Sequence, residues 1–157
     1  MDKRKKEALS STALNALVAA GLLLPLLKPG TRQKVRILRT LETIALSRLA
    51  LVALKHTIPA RRPDSLQQDS FPSSHTLHAM GVATVASAFA RKQSPVWYGG
   101  VLVVGVSRLL LRRHRLRDVI AGAGIGYGIA RLELRKRRGF LLPVLSKRLN
   151  DSLSKRK

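Results

Sequence analysis

Charged residues along this chain gather into short clusters, and the stretches between them carry almost none. Residues 8–27 are uncharged over 20 positions, and at about 1.5 Å per residue a helix of that length just crosses a hydrocarbon core of about 30 Å. Residues 70–90 are also free of formal charge if His75 and His78 are neutral. Shorter uncharged runs occupy 93–107 and 119–130, and 40–54 is apolar apart from Glu42 and Arg48. Basic clusters at 3–6, 28–39, 91–92, 112–117 and 131–138 separate these segments. Helices of soluble domains normally show a polar stripe, which these segments largely lack. The pattern therefore predicts an all-α, integral-membrane helical bundle of about five to six helices, forming a single domain over 1–157.

The N-terminus has the basic start and apolar run of a signal peptide, but no convincing A-x-A site follows Leu27, so 8–27 is read as a helix. Gly122, Gly124, Gly126 and Gly128 give two overlapping G-x-x-x-G spacings, which suit close helix packing in lipid. A dinucleotide-binding reading of these glycines lacks the preceding strand and the following acid. Residues 139–157 read as a basic tail or an interfacial helix with Lys147 and Arg148 on its wet side.

Composition then narrows the partners. The chain of 157 residues holds 30 Lys+Arg against 8 Asp+Glu, a net charge of +22. A disordered basic chain is excluded by 45% hydrophobic residues. Nucleic acid is disfavoured as a partner, because only 4% of residues are aromatic and base stacking needs such platforms. The absence of cysteine removes thiolate chemistry and Cys-ligated metals. Most of the positive charge is left to flank membrane segments and attract anionic lipid headgroups.

Three clusters resist that explanation. The first is Lys55, six residues, then Arg62-Pro63; the second is Pro72-Ser73-Ser74-His75; the third is Ser107-Arg108, five residues, His114, three residues, Asp118. Prolines end helices in the first two, so Lys55 closes one helix, Arg62 lies in a loop, and Ser73 to His75 open the next. A helix start offers unpaired N–H groups to an anion. Following the chain back and forth brings all three clusters out at one membrane face. His114 and Asp118, four apart, can meet, so that the carboxylate holds Nδ1–H and leaves Nε2 a lone pair. Taken singly, each piece has a plainer reading: Lys55 and Arg62 as snorkelling cations, Ser73 and Ser74 as an N-cap, His75 as a loop residue, His114 and Asp118 as a salt-bridged helix entrance. Together they make a phosphoryl-transfer inventory that needs no metal and no cofactor.

In order and spacing these clusters resemble the three-part signature of the type 2 phosphatidic acid phosphatase superfamily, which includes vanadium haloperoxidases and bacterial acid phosphatases. The resemblance covers 55–118 and has one departure, Ser74 where the family usually has glycine. It implies that His114 attacks phosphorus to form a phosphohistidine, that Asp118 orients it, and that His75 protonates the leaving oxygen and then assists water. Lys55, Arg62 and Arg108, with Ser73 and the N–H groups near Ser74, would bind the substrate phosphate. The apolar helices resemble the integral-membrane branch, which hydrolyses lipid phosphates or diphosphates such as phosphatidic acid, phosphatidylglycerol phosphate, polyprenyl diphosphate or lipid A. That branch implies a membrane location, the inner membrane for a bacterial chain, with the lipid itself as partner.

Five crossings from an inside N-terminus put the site on the cytoplasmic side, whereas more basic residues flank the opposite face. Charge counting thus favours an extracytoplasmic site if the first segment does not cross fully. Two rival readings stand beside lipid phosphatase: a vanadate-dependent haloperoxidase using the same anion site, and a basic membrane or nucleic-acid-binding protein whose site has decayed.

Overall fold

The computed structural model describes residues 3–27 and 31–136, with side chains described from residue 11 onward except at 26, 31 and 32. Among the described residues the secondary structure is all-α. The helices are α1 (Lys3–Leu23), α2 (Thr31–Thr57), α3 (Ser74–Phe89), α4 (Ser94–Leu110) and α5 (Leu116–Arg135), with short 3-10 turns at Leu24–Leu27 and Arg91–Gln93. The expected interfacial segment at 139–157 lies outside the described residues.

Helix α3 occupies the centre and packs against each of the other four. Its sequence explains why: Ala79, Gly81, Ala83 and Ala86 keep its surface low, and Leu77, Val82 and Val85 fill the gaps around it. The core continues through Leu17 of α1 and Trp97, Val101 and Val104 of α4. Of the four glycines in α5, only one pair is used for close packing. A Cβ at Gly122 would lie 2.6 Å from the Ser73 carbonyl oxygen, and one at Gly126 would collide with the Leu77 carbonyl. Gly124 and Gly128 face open space. The α3/α5 seam is thus backbone against backbone, as small residues permit.

Helix α2 runs longer than its apolar segment predicts, because cations that look like flanking charge are turned inward. Arg36, Arg39, Thr40, Glu42, Thr43 and Ser47 are buried, while Leu41, Leu49 and Val52 of the same helix are 42–67% exposed. Arg39 lies 3.5 Å from both Glu42 and Glu133, tying α2 to α5 through carboxylates that are almost wholly buried. Arg36 stacks over the Trp97 ring at 5.7 Å. On this helix several polar side chains thus face the bundle and several apolar ones face out, although Leu51 is buried and Lys34 and Arg48 are exposed.

Even so, no helix among the described residues is long and apolar enough to cross a membrane. Helices α3 and α4 have 16 and 17 residues, fewer than the roughly 20 that a full crossing requires. The five crossings anticipated from the charge gaps do not appear as five spanning helices.

Candidate active site

Chain direction and helix ends bring the three clusters together. Lys55 lies near the C-terminus of α2, Arg62 in the loop that follows, His75 in the first turn of α3, Arg108 in the last turns of α4, and His114 in the short turn before α5. Asp118 sits in the first turn of α5. The two N-termini are joined by main chain, since the Ser73 N–H donates to the Asp118 carbonyl at 3.0 Å.

His114 is buried, and its Nδ1 lies 2.8 Å from the Ser70 carbonyl. A carbonyl can only accept, so Nδ1 carries the proton and Nε2 keeps its lone pair. The expected direct clasp by Asp118 is replaced by an indirect one. Asp118 Oδ2 accepts from the Ser70 hydroxyl at 2.7 Å and from the Arg115 N–H at 2.9 Å. Ser70 therefore serves both partners, with its carbonyl on the imidazole and its hydroxyl on the carboxylate. The reason is geometric: a turn at 111–115 separates His114 from the first helical residue, Leu116, so the helical four-residue register does not apply.

Both imidazoles are held neutral. Burial is the main cause at His75, reinforced by the charges of Arg108, His114, His78 and Arg62, and its pKa falls to about 4. Burial also dominates at His114, opposed by the Ser70 hydrogen bond and aided by Arg108 and Arg62, with a fall to about 4. Arg62 and Arg108 thus act on both histidines, as cations flanking one site would.

The remaining expected ligands divide. Lys55 Nζ donates to the Asp69 carbonyl at 2.6 Å and lies 3.5 Å from its carboxylate. Arg62 gives Nε and Nη2 to the two Asp69 oxygens at 2.6 and 2.8 Å. The Arg62 guanidinium holds the Asp69 carboxyl below its usual range. Ser73 is fully buried, its hydroxyl pairs with Thr76 Oγ1 at 3.1 Å, and its N–H is taken by the Asp118 carbonyl. Ser74 is the first helical residue of α3. Among the described residues the only non-glycine with positive φ is Arg112, at 52°, so a side chain at position 74 meets no left-handed backbone. Its carbonyl accepts from His78 Nδ1 at 2.8 Å.

Residues 36–140 match the description of the PAP2 superfamily. The chain belongs to that superfamily. As a PAP2 member it also resembles a lipid A 1-phosphatase of Porphyromonas gingivalis, with 35% identity over 83 residues. That alignment covers 50% of this chain and 18% of the relative, so the chain spans under a fifth of the relative's length. No solved structure gives a significant match.

Asp69 and Ser70 are residues of the candidate site that motif spacing passes over. A signal for Asp69 exists, because the chain has only 8 acidic residues and this one falls seven positions from Arg62. Nothing in the sequence marks Ser70, whose carbonyl meets His114 and whose hydroxyl meets Asp118 only in the folded chain.

Proposed function

We propose that this chain is a phosphate-ester hydrolase acting on a membrane lipid phosphate or diphosphate, lipid A among the candidates. The observation that carries the reading is the His114 imidazole, fixed by the Ser70 carbonyl with Nε2 unprotonated, between two cations and beside a second histidine. Nε2 attacks phosphorus, the bond to the leaving oxygen breaks, and His75 supplies the proton that oxygen takes up. Water then cleaves the P–N bond of the phosphohistidine, with His75 taking its proton. With its pKa lowered to about 4, His75 is neutral near pH 7, so a bound phosphate must raise that pKa before His75 can act as an acid. Arg108, Arg62, Lys55 and the first-turn N–H groups at Ser74 and His75 stabilise the phosphate oxygens. Asp118 acts through Ser70.

Membrane integration is supported by the buried polar side chains Arg36, Arg39 and Glu42 of α2 and by exposed Val96, Leu102, Val103, Leu110, Ile120 and Leu132 on α4 and α5. These flanks sit against lipid, while the end carrying 55–75 and 108–118 lies at headgroup level, outside the hydrocarbon. Charge asymmetry between the two faces favours an extracytoplasmic orientation of that end.

The test is phosphate release from phosphatidic acid, phosphatidylglycerol phosphate, a polyprenyl diphosphate and lipid A in detergent micelles. Wild type should turn over at least one of them, with vanadate inhibition, and His114→Ala should lose about a thousandfold or more in kcat. Undiminished turnover by His114→Ala would remove the reading.

A further inference from the structure

A cavity of about 420 Å3 opens beside the candidate phosphate site, walled by Arg61, Arg62, Asp64 and Ser65 of the α2–α3 loop and by Arg115 at the start of α5. Its volume lies within the roughly 300–1,000 Å3 of ordinary small-molecule sites. Arg62 belongs to both places: it lines this cavity, and its charge bears on His75 and His114. Whatever fills the cavity therefore shares Arg62 with the candidate phosphate site.

The walls are suited to an anion. Arg61 and Arg115 are exposed and come from different loops. The carboxylate in the wall is already matched, because Asp64 Oδ2 lies 3.3 Å from Arg113. Ser65 Oγ is buried without a hydrogen-bond partner. A buried hydroxyl left unpaired costs roughly 1–3 kcal/mol, and an anionic oxygen would accept a hydrogen bond from it. The loop is held in place beforehand, since the Arg62 N–H donates to the Gln67 carbonyl at 2.9 Å, and Ala60 and Ser70 exchange a further bond at 2.8 Å. Guanidinium forks match phosphate oxygens better than they match a neutral sugar or an acyl chain.

We propose that this cavity is a second anion site, in which Arg61, Arg115 and Ser65 hold a non-reacting phosphate next to the one being hydrolysed. The inference rests on the phosphatase reading for its placement beside a reacting phosphate. The occupant is phosphate chemistry from one of two sources, a second phosphate on the same lipid or free inorganic phosphate.

The experiment uses the full chain in detergent micelles, with short-chain phosphatidic acid, the matching diacylglycerol diphosphate, and phosphatidic acid with added inorganic phosphate. Arg61→Gln, Arg115→Gln and Ser65→Ala are compared with wild type and with Arg91→Gln, which removes one charge at the far end of α3. The expected result is a KM for the diphosphate lipid raised about fivefold or more by each arginine change, with KM for phosphatidic acid within twofold and Arg91→Gln silent. If instead added inorganic phosphate alters phosphatidic acid turnover and Arg61→Gln abolishes that effect, the site stands with free phosphate as its occupant. Equal shifts for both lipids, or none with no phosphate effect, overturn it.

Binding of inorganic diphosphate is measured in parallel by calorimetry on His114→Ala, alone and combined with Arg61→Gln and Arg115→Gln. Absence of turnover on any lipid defeats the phosphatase reading, whereas unchanged diphosphate affinity in the combined variants defeats the cavity.

Discussion

Asp69 grips Arg62 at two points, Nε to Oδ1 at 2.6 Å and Nη2 to Oδ2 at 2.8 Å, while its main-chain carbonyl takes the Lys55 ammonium. One residue thereby fixes two of the three cations assigned to phosphate. It uses one edge of the guanidinium and leaves the Nη1 side for a ligand.

Removing that grip should act on binding more than on chemistry. Asp69→Ala is expected to raise KM about tenfold, equivalent to about 1.4 kcal/mol, with kcat nearly unchanged and part of the loss restored by Asp69→Asn. Steady-state kinetics on the preferred lipid decides it. A lower KM in Asp69→Ala would mean that the carboxylate competes with phosphate instead of aligning its ligands.

Ser70 offers a second separation of roles. Ser70→Ala deletes the hydroxyl on Asp118 but keeps the carbonyl on His114. The buried carboxylate then keeps the Arg115 N–H as its remaining hydrogen bond. A cost of about 1–3 kcal/mol in thermal stability follows from the lost partner, and kcat should fall about tenfold as Asp118 loses its link to the imidazole. Wild-type values of both quantities would show that this bridge is idle.

The histidines set a pH dependence whose sign is fixed. Folded His75 and His114 have pKa values of about 4, against about 6.5 in an unfolded chain. Between these values the unfolded state binds more protons, so stability rises with pH across that window and is lost as pH falls. Melting temperatures from pH 4 to 7 should show the slope, and His75→Ala combined with His114→Ala should flatten it. Vanadate binding at pH 7 should also take up a proton as His75 becomes charged, read as a buffer-dependent binding enthalpy.

Packing makes a prediction that is independent of the chemistry. Gly126→Ala places a methyl against the Leu77 carbonyl, and overpacking of this kind costs about 1–3 kcal/mol. Gly124→Ala, two residues away, meets nothing within 4 Å and should gain up to about 1 kcal/mol from helix propensity. Thermal unfolding of the two variants side by side is the check, and equal melting temperatures would show that the seam can give.

Legibility in the sequence follows the range of the interaction. Helix positions are readable because charge gaps and prolines are local, so all five segments have counterparts in α1 to α5. The convergence of Lys55, Arg62, His75, Arg108 and His114 is also readable, because chain direction alone carries helix ends to one face. Burial of Arg36, Arg39 and Glu42 is not, since a cation that flanks a helix and one that turns inward look alike until Glu133, 94 residues from Arg39, is brought beside them. The Ser70 contact with His114 is invisible for a different reason: main-chain atoms carry no residue identity. The glycine pair needs a neighbour as well, because Gly122/Gly126 and Gly124/Gly128 have the same spacing and only the position of α3 distinguishes them.

The bond from Ser73 to Asp118 and the bare contact of Gly122 with the Ser73 carbonyl place the separation between the two halves of the site under main-chain control. Side chains on the outer faces of α2, α4 and α5 have no part in that measurement. The exposed outer surface can therefore be rewritten while the groups of the candidate site keep their spacing. The outer surface and the candidate site are, in this fold, separately editable.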